Sequence, residues 1–128
     1  MSYYFTKTVT DNFDAAIASV TAELKKEGFG ILTDIDIQAT MKKKLDVDFK
    51  KYRILGACNP DFAYQALLAE DKIGTMLPCN VIVQEHENGQ VEVSAVDPVA
   101  SMMAITNNEL GSVAMEVREK LKKVIDNL

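Results

Sequence analysis

Three observations predict an α+β fold built on one mainly antiparallel sheet. Segments of period 2 alternate with segments of period 3.6 through Asp71, Asn88-Gly89 separates two β-rich runs, and one long apolar stripe at helical spacing runs from Asn107 to the end. The resulting order is β-α-β-α-β-α-β-β-α: five strands, the helices gathered on one face, and a long C-terminal helix packed on the sheet. A chain of 128 residues without repeats or a linker suits a single domain, residues 1–128.

Tyr3 to Val9 is rich in aromatic and β-branched residues and reads as the first strand. Asp11 or Asn12 then caps a helix in which Phe13, Ile17, Val20 and Leu24 make one apolar stripe, and Gly28 stops it. From Gly30 to Ile37 the residues alternate, with Ile31, Thr33, Ile35 and Ile37 facing one way and Leu32, Asp34 and Asp36 the other. That pattern predicts a strand with one strongly apolar face. A short helix follows from about Gln38 to Leu45, its inner edge Met41 and Leu45. Tyr52 to Cys58 reads as a third strand. Asn59-Pro60 opens the next helix, Asn as cap and Pro in the first turn, running to about Asp71 with Ala63, Ala66, Leu67 and Glu70 at helical spacing.

Asn80 to Glu87 and Gln90 to Val96 flank Asn88-Gly89, the preferred two-residue type I′ hairpin turn. Val99 to Thr106 is an irregular apolar connection carrying Met102 and Met103. The last helix starts near Asn107 or Asn108, with Leu110, Val113, Val117, Leu121, Val124 and Leu128 as its stripe. At 1.5 Å per residue it is roughly 28–30 Å long, enough to cross a whole sheet.

Charge and composition exclude several functions. The net charge is −5 and the pI about 4.8, whereas a nucleic-acid binder needs a cationic face. No apolar run approaches the roughly 20 residues of a membrane span, and the N-terminus lacks a basic region followed by an apolar one. A cytoplasmic protein without membrane contact is therefore expected, with Cys58 and Cys79 as two thiols rather than a disulfide. With His86 they complete the soft ligands, too few for a structural zinc site, so neither metal nor cofactor is expected. Cys79 and His86, seven residues apart on one predicted strand, lie about 23 Å apart at ~3.3 Å per residue and on opposite faces, so within one subunit they cannot share an ion.

Gly28-Phe29-Gly30 is not a dinucleotide motif, because it lies between a helix and a strand and lacks the third glycine. Lys42, Lys43, Lys44, Lys50, Lys51 and Arg53 could form an anion site, but a solvated charged face is the simpler reading. Asp34 and Asp36 share one strand face, as acids on solvent-facing strands commonly do. No triad, His-Glu-x-x-His or P-loop pattern occurs, so no catalytic residue is assigned.

One pattern does gather chemistry. Cys58-Asn59-Pro60 ends one strand and Leu77-Pro78-Cys79-Asn80 begins another. A type I′ turn at Asn88-Gly89 would pair Val81 with Val96, Ile82 with Ala95, Asn80 with Asp97 and Glu85 with Glu92, and set Cys79 beside Pro98. Cys58, Asn59, Cys79, Asn80 and Asp97 would then converge on one patch, and they are the candidate ligand-binding residues. Capping and turning are the plainer roles of such residues. Cys58 should approach the patch if its strand adjoins the hairpin. The two cysteine Cα atoms are nevertheless expected more than about 10 Å apart, beyond disulfide reach.

Leu32-Thr33-Asp34-Ile35-Asp36, Tyr52-Arg53-Ile54-Leu55-Gly56-Ala57-Cys58-Asn59-Pro60, Leu77-Pro78-Cys79-Asn80-Val81 and Val96-Asp97-Pro98 together resemble the family called domain of unknown function 302. The resemblance covers a core of about 32–100, and the flanking elements fit the family's full-length form. It implies a TATA-binding-protein-like fold class, a curved antiparallel sheet with a long helix, and it implies no activity.

These readings favour a non-enzymatic domain that binds a small-molecule ligand or a partner at the Cys58-Asn59 and Cys79-Asn80 end of the sheet. The alternatives are a thiol-dependent redox module or enzyme using Cys58 and Cys79, and a purely structural dimer. The hairpin offers apolar side chains to both faces while the helices cover one, so a second subunit is expected as the cover, in a homodimer.

Overall fold

The computed structural model describes residues 2–128; Met1, the first residue of the expected domain, lies outside them. The strands are β1 (Tyr4–Val9), β2 (Gly30–Asp36), β3 (Tyr52–Cys58), β4 (Cys79–Glu85) and β5 (Val91–Val96). They form one open, fully antiparallel sheet in the order β1-β5-β4-β3-β2. The helices are α1 (Phe13–Lys26), α2 (Ile37–Leu45), α3 (Pro60–Ala69), α4 (Pro98–Ser101) and α5 (Asn108–Asp126), with a 3-10 helix (Asp71–Met76) after α3. The order read from the sequence is the order observed.

Because β1 and β2 are the two edges, the connection through α1 must cross the whole sheet. Four inter-strand gaps of ~4.8 Å span about 19 Å, and the 14 residues of α1 make about 21 Å of helix. The helix length fits the crossing. The Asn12 side chain caps it by accepting from Ala15 N–H at 2.9 Å. At the other end the left-handed φ of +87° at Gly28 lets Phe29 N–H bond back to the Leu24 carbonyl at 2.9 Å.

The main core lies between this sheet face and the two long helices. Leu55, Val81, Val83, Val93 and Ala95 of the sheet meet Val20 and Leu24 of α1 and Leu121 and Val124 of α5. Asn107 caps α5 at Glu109 N–H, 3.0 Å away. A smaller cluster of Ala66, Ile73 and Leu110 joins α3, the 3-10 helix and α5 beside the main core.

The hairpin register differs from expectation by one residue. Val81 pairs with Ala95, Ile82 with Ser94, Val83 with Val93 and Gln84 with Glu92. A type I′ turn needs φ above zero at both central residues. Here Gly89 has a φ of +84° while Asn88 keeps an ordinary one. The loop is therefore the three residues Glu87-Asn88-Gly89, closed by Gly89 N–H to the His86 carbonyl and His86 N–H to the Gln90 carbonyl, both at 2.8 Å. This register replaces the expected Glu85–Glu92 repulsion with a Gln84–Glu92 hydrogen bond of 3.2 Å. It also puts Val81 and Val83 on the same buried face as Val91, Val93 and Ala95.

Three local expectations need correction. The register of β2 shifts between Ile31 and Thr33, so the bulged Leu32 is 67% exposed and the expected apolar face is broken. Ile37 belongs to α2 rather than to the strand, and α2 buries nothing: Leu45, assigned to its inner edge, is 67% exposed. Finally, α3 stops at Ala69, and Ala66 is its buried residue.

The opposite sheet face carries the row Thr6–Ser94–Ile82–Ile54–Ile35 from edge to edge. A groove on that face is lined by strand residues and Tyr3, with no helical residue over it.

Candidate functional site

The candidate site forms where β3 ends and β4 begins. Ala57 pairs with Cys79 and Gly56 with Asn80. Cys58 thus lies one residue beyond the partner of Cys79. From ~4.8 Å strand spacing and ~3.4 Å rise, their Cα atoms are about 6 Å apart, which overturns the expected separation. Sequence reasoning lacked the adjacency of the two strands. Both thiols are free despite this proximity. Burial, with a smaller contribution from Cys58, pushes the Cys79 thiol up to about 11, so it stays protonated at neutral pH.

Beside these residues lies a cavity of about 310 Å³, bounded by the sheet end, α3, the 3-10 helix, Pro98, Met102 and the inner face of α5. Small residues create it. Ala57, Ala63, Ala66 and Ala114 face this space from three elements, where larger side chains would fill it. Phe29, Phe62, Leu110 and Val117 supply much of the remaining wall, and none of the lining residues carries a charge. Leu32 and Leu67 line the cavity while being 67% and 45% exposed, so they frame its mouth.

Of the five expected site residues, Cys58, Asn59 and Cys79 line this cavity. Asn59 does not cap α3 with its side chain; its Nδ2 donates to the Glu27 carbonyl at 3.2 Å, tying the start of α3 to the end of α1. Asn80 lies across the sheet, on the groove of the opposite face. Asp97 is used structurally: its carboxylate accepts from Val99 N–H at 3.0 Å, capping α4, and takes Arg118 Nε at 3.2 Å. The convergence of all five depended on the mistaken register. Cys79 and Pro98, expected as neighbours from the two-residue turn, both line the cavity.

The other constellations resolve into local pairs. Lys42 bridges to Asp46 at 2.9 Å and Asp48 at 3.4 Å, and Arg53 holds Asp34 at 2.9 Å. The lysine-rich run is a solvated face partly neutralised by its own acids. His86 near the hairpin tip stands 3.7 Å from Glu92. Among the described residues, no three His, Cys, Asp or Glu side chains cluster as metal ligands would, and no helix is long and apolar enough to cross a membrane. Sequence reasoning missed the roles of Phe62, Met102, Val113 and Val117 because an apolar cavity wall and a core face have the same pattern. The alanines opposite them were the available signal.

Fold and cavity together define a class: an α+β protein with an open five-stranded antiparallel sheet, two long helices on one face, and an apolar pocket at one sheet end. The chain belongs to the family described as Domain of unknown function DUF302, whose model matches residues 5–128. The match extends well beyond the 32–100 core recognised in the sequence. The chain is similar to an uncharacterized conserved DUF302 protein from Bacillus stearothermophilus of known crystal structure, with 26% identity, 98% of each chain covered and a TM-score of 0.91. No functionally curated protein matches it.

Proposed function

We propose that this chain is a single, non-enzymatic domain that takes a small organic ligand into the cavity beside Cys58, Asn59 and Cys79. The observation that carries the reading is a pocket of about 310 Å³ at the sheet end, a size suited to a small ligand, lined by alanines on three elements. The thiol-enzyme alternative is disfavoured because the cysteine deepest in the site has its pKa raised rather than lowered. A cytoplasmic, reducing setting suits two free thiols. Native mass spectrometry of freshly purified protein tests the reading: a bound mass of a few hundred daltons, lost when Ala66→Phe fills the pocket, is expected. Bare protein that also takes up no added small molecule would overturn it.

The domain acts as a homodimer in this reading, through the sheet face opposite the helices. Ile35, Ile54 and Ile82 form a continuous apolar row there, with exposed Tyr3 and Tyr4 beside it and no helix over the groove. A two-fold partner would bring the same row against itself.

A further inference from the structure

We infer that the cavity selects an uncharged, largely apolar molecule and rejects carboxylates and other anions; this rests on the ligand-binding reading above. The wall carries no lysine, arginine or histidine to meet an anion and no acid to meet a cation. Cations of α5 near this end are paired with acids outside the wall: Arg118 with Asp97 at 3.2 Å, and Lys120 and Lys123 with Glu27 at 3.9 and 3.4 Å, the Lys120 Nζ standing 6.0 Å from the Phe62 ring centroid. An ion entering the pocket would lose its hydration without gaining a partner, which strongly disfavours the charged form.

Asn59 is the one amide on the wall. One Nδ2 hydrogen is taken by the Glu27 carbonyl. The other hydrogen and Oδ1 remain to meet a single hydroxyl, amine or carbonyl of a ligand. Entry is apolar as well, because Leu32 and Leu67 frame the mouth. Met102, with three rotatable bonds, is a wall that adapts to different ligand shapes. Since an apolar cavity of about 150 Å³ holds one benzene, this one suits a neutral hydrophobe of roughly ten to fifteen non-hydrogen atoms, such as a fused bicyclic aromatic or a medium-chain alcohol.

The test is a pair of near-isosteric probes, 1-naphthalenemethanol and 1-naphthoate, titrated by calorimetry into the full chain at pH 7.5. The alcohol is expected to bind one per chain, at least ~30-fold more tightly than the carboxylate. Any naphthoate binding should tighten about tenfold for each unit by which the pH is lowered toward the acid's own pKa, since only its neutral form enters. Ala66→Phe and Ala114→Leu, each shown to be folded by circular dichroism, should both abolish alcohol binding. If alcohol and carboxylate bind equally well, the selectivity inference is overturned while the ligand-binding reading stands. If both pocket-filling variants fold and still bind the alcohol at full affinity, the cavity is not its site and the inference also fails. If neither probe binds, both the inference and the reading beneath it fall.

Discussion

Replacing Gly56 by alanine decides whether the sheet end beside the cavity is packed as tightly as its geometry indicates. Gly56 sits in β3 between Thr33 of β2 and Asn80 of β4. A Cβ built there would stand 2.2 Å from Thr33 Oγ1 and 2.7 Å from Pro78 Cγ, distances at which something must move. Threonine is β-branched with few rotamers to retreat into, and the proline ring cannot swing away. Two effects of opposite sign then compete. Gly56 does not have a positive φ, so loss of unfolded-state freedom alone would make Gly56→Ala stabilising by about 0.4–1 kcal/mol. Overpacking costs ~1–3 kcal/mol, and two contacts this short place the variant in the upper half of that range. The expected net is a loss of about 1–2 kcal/mol, read as a lower urea midpoint with unchanged slope and a Tm lower by roughly 4–8 °C. Adding Thr33→Ala removes the shorter contact and leaves the proline, so about half the loss should return. A Gly56→Ala protein as stable as the parent, or more stable, would refute the packing argument.

Four further outcomes are expected. Cys79 has its thiol pKa raised from 9.0 to about 11, so the unfolded chain releases this proton at lower pH than the folded one. That stabilisation is complete below pH 9 and is lost as pH rises through 11, by about 2 kcal/mol; urea midpoints at pH 8.5 and 11 should show a loss that Cys79→Ala lacks, tyrosine titration being common to both. Asp97→Ala removes the α4 cap and leaves Arg118 with Glu119 as its remaining acid, at a cost of ~1–2 kcal/mol in denaturation experiments, whereas Asp97→Asn keeps the cap and costs about half as much. Gly89→Ala should cost ~1 kcal/mol because of its φ of +84°, while Asn88→Ala should cost under ~0.5 kcal/mol; equal costs at both would restore the type I′ turn. Light scattering at micromolar concentration should give twice the 14.2 kDa chain mass, and Ile54→Lys should halve it; a parent species of 14.2 kDa removes the dimer.

Element order was readable because each element carries its own signal: Asn12 and Asn107 as caps, Gly28 as a stop, and the Val20–Leu24 and Val117–Leu121–Val124 stripes. What failed was relational. Asn88-Gly89 suits either a two-residue or a three-residue loop, and only cross-strand energetics select between them. Valines facing one core and a glutamate facing glutamine rather than glutamate decide it. The apolar alternation of Ile31, Thr33 and Ile35 predicts a buried face only if a neighbour exists to bury it, and β2 is an edge. The site shows the same division. Cys58, Asn59 and Cys79 stood out as residues, but the cavity is defined by what is missing at Ala57, Ala63, Ala66 and Ala114. Small side chains announce a void only once their elements face each other.

The strand order also dictates how this chain must be made. Residues of β1 find their partners in β5, 82 to 92 positions later, at Val91 for Val9 and at Val96 for Tyr4. On a ribosome adding ~5–20 residues per second, β1 waits about 4–17 s for a strand to pair with. During that interval Phe5 and Val9 of β1 have no neighbouring strand, whereas β2 through β5 can assemble as a simple meander. The first strand synthesised is thus the last to be placed, and until it docks the edge of β5 is open to any other extended chain. Nascent copies of this protein are therefore expected to depend on holding chaperones, most of all near their N-terminus.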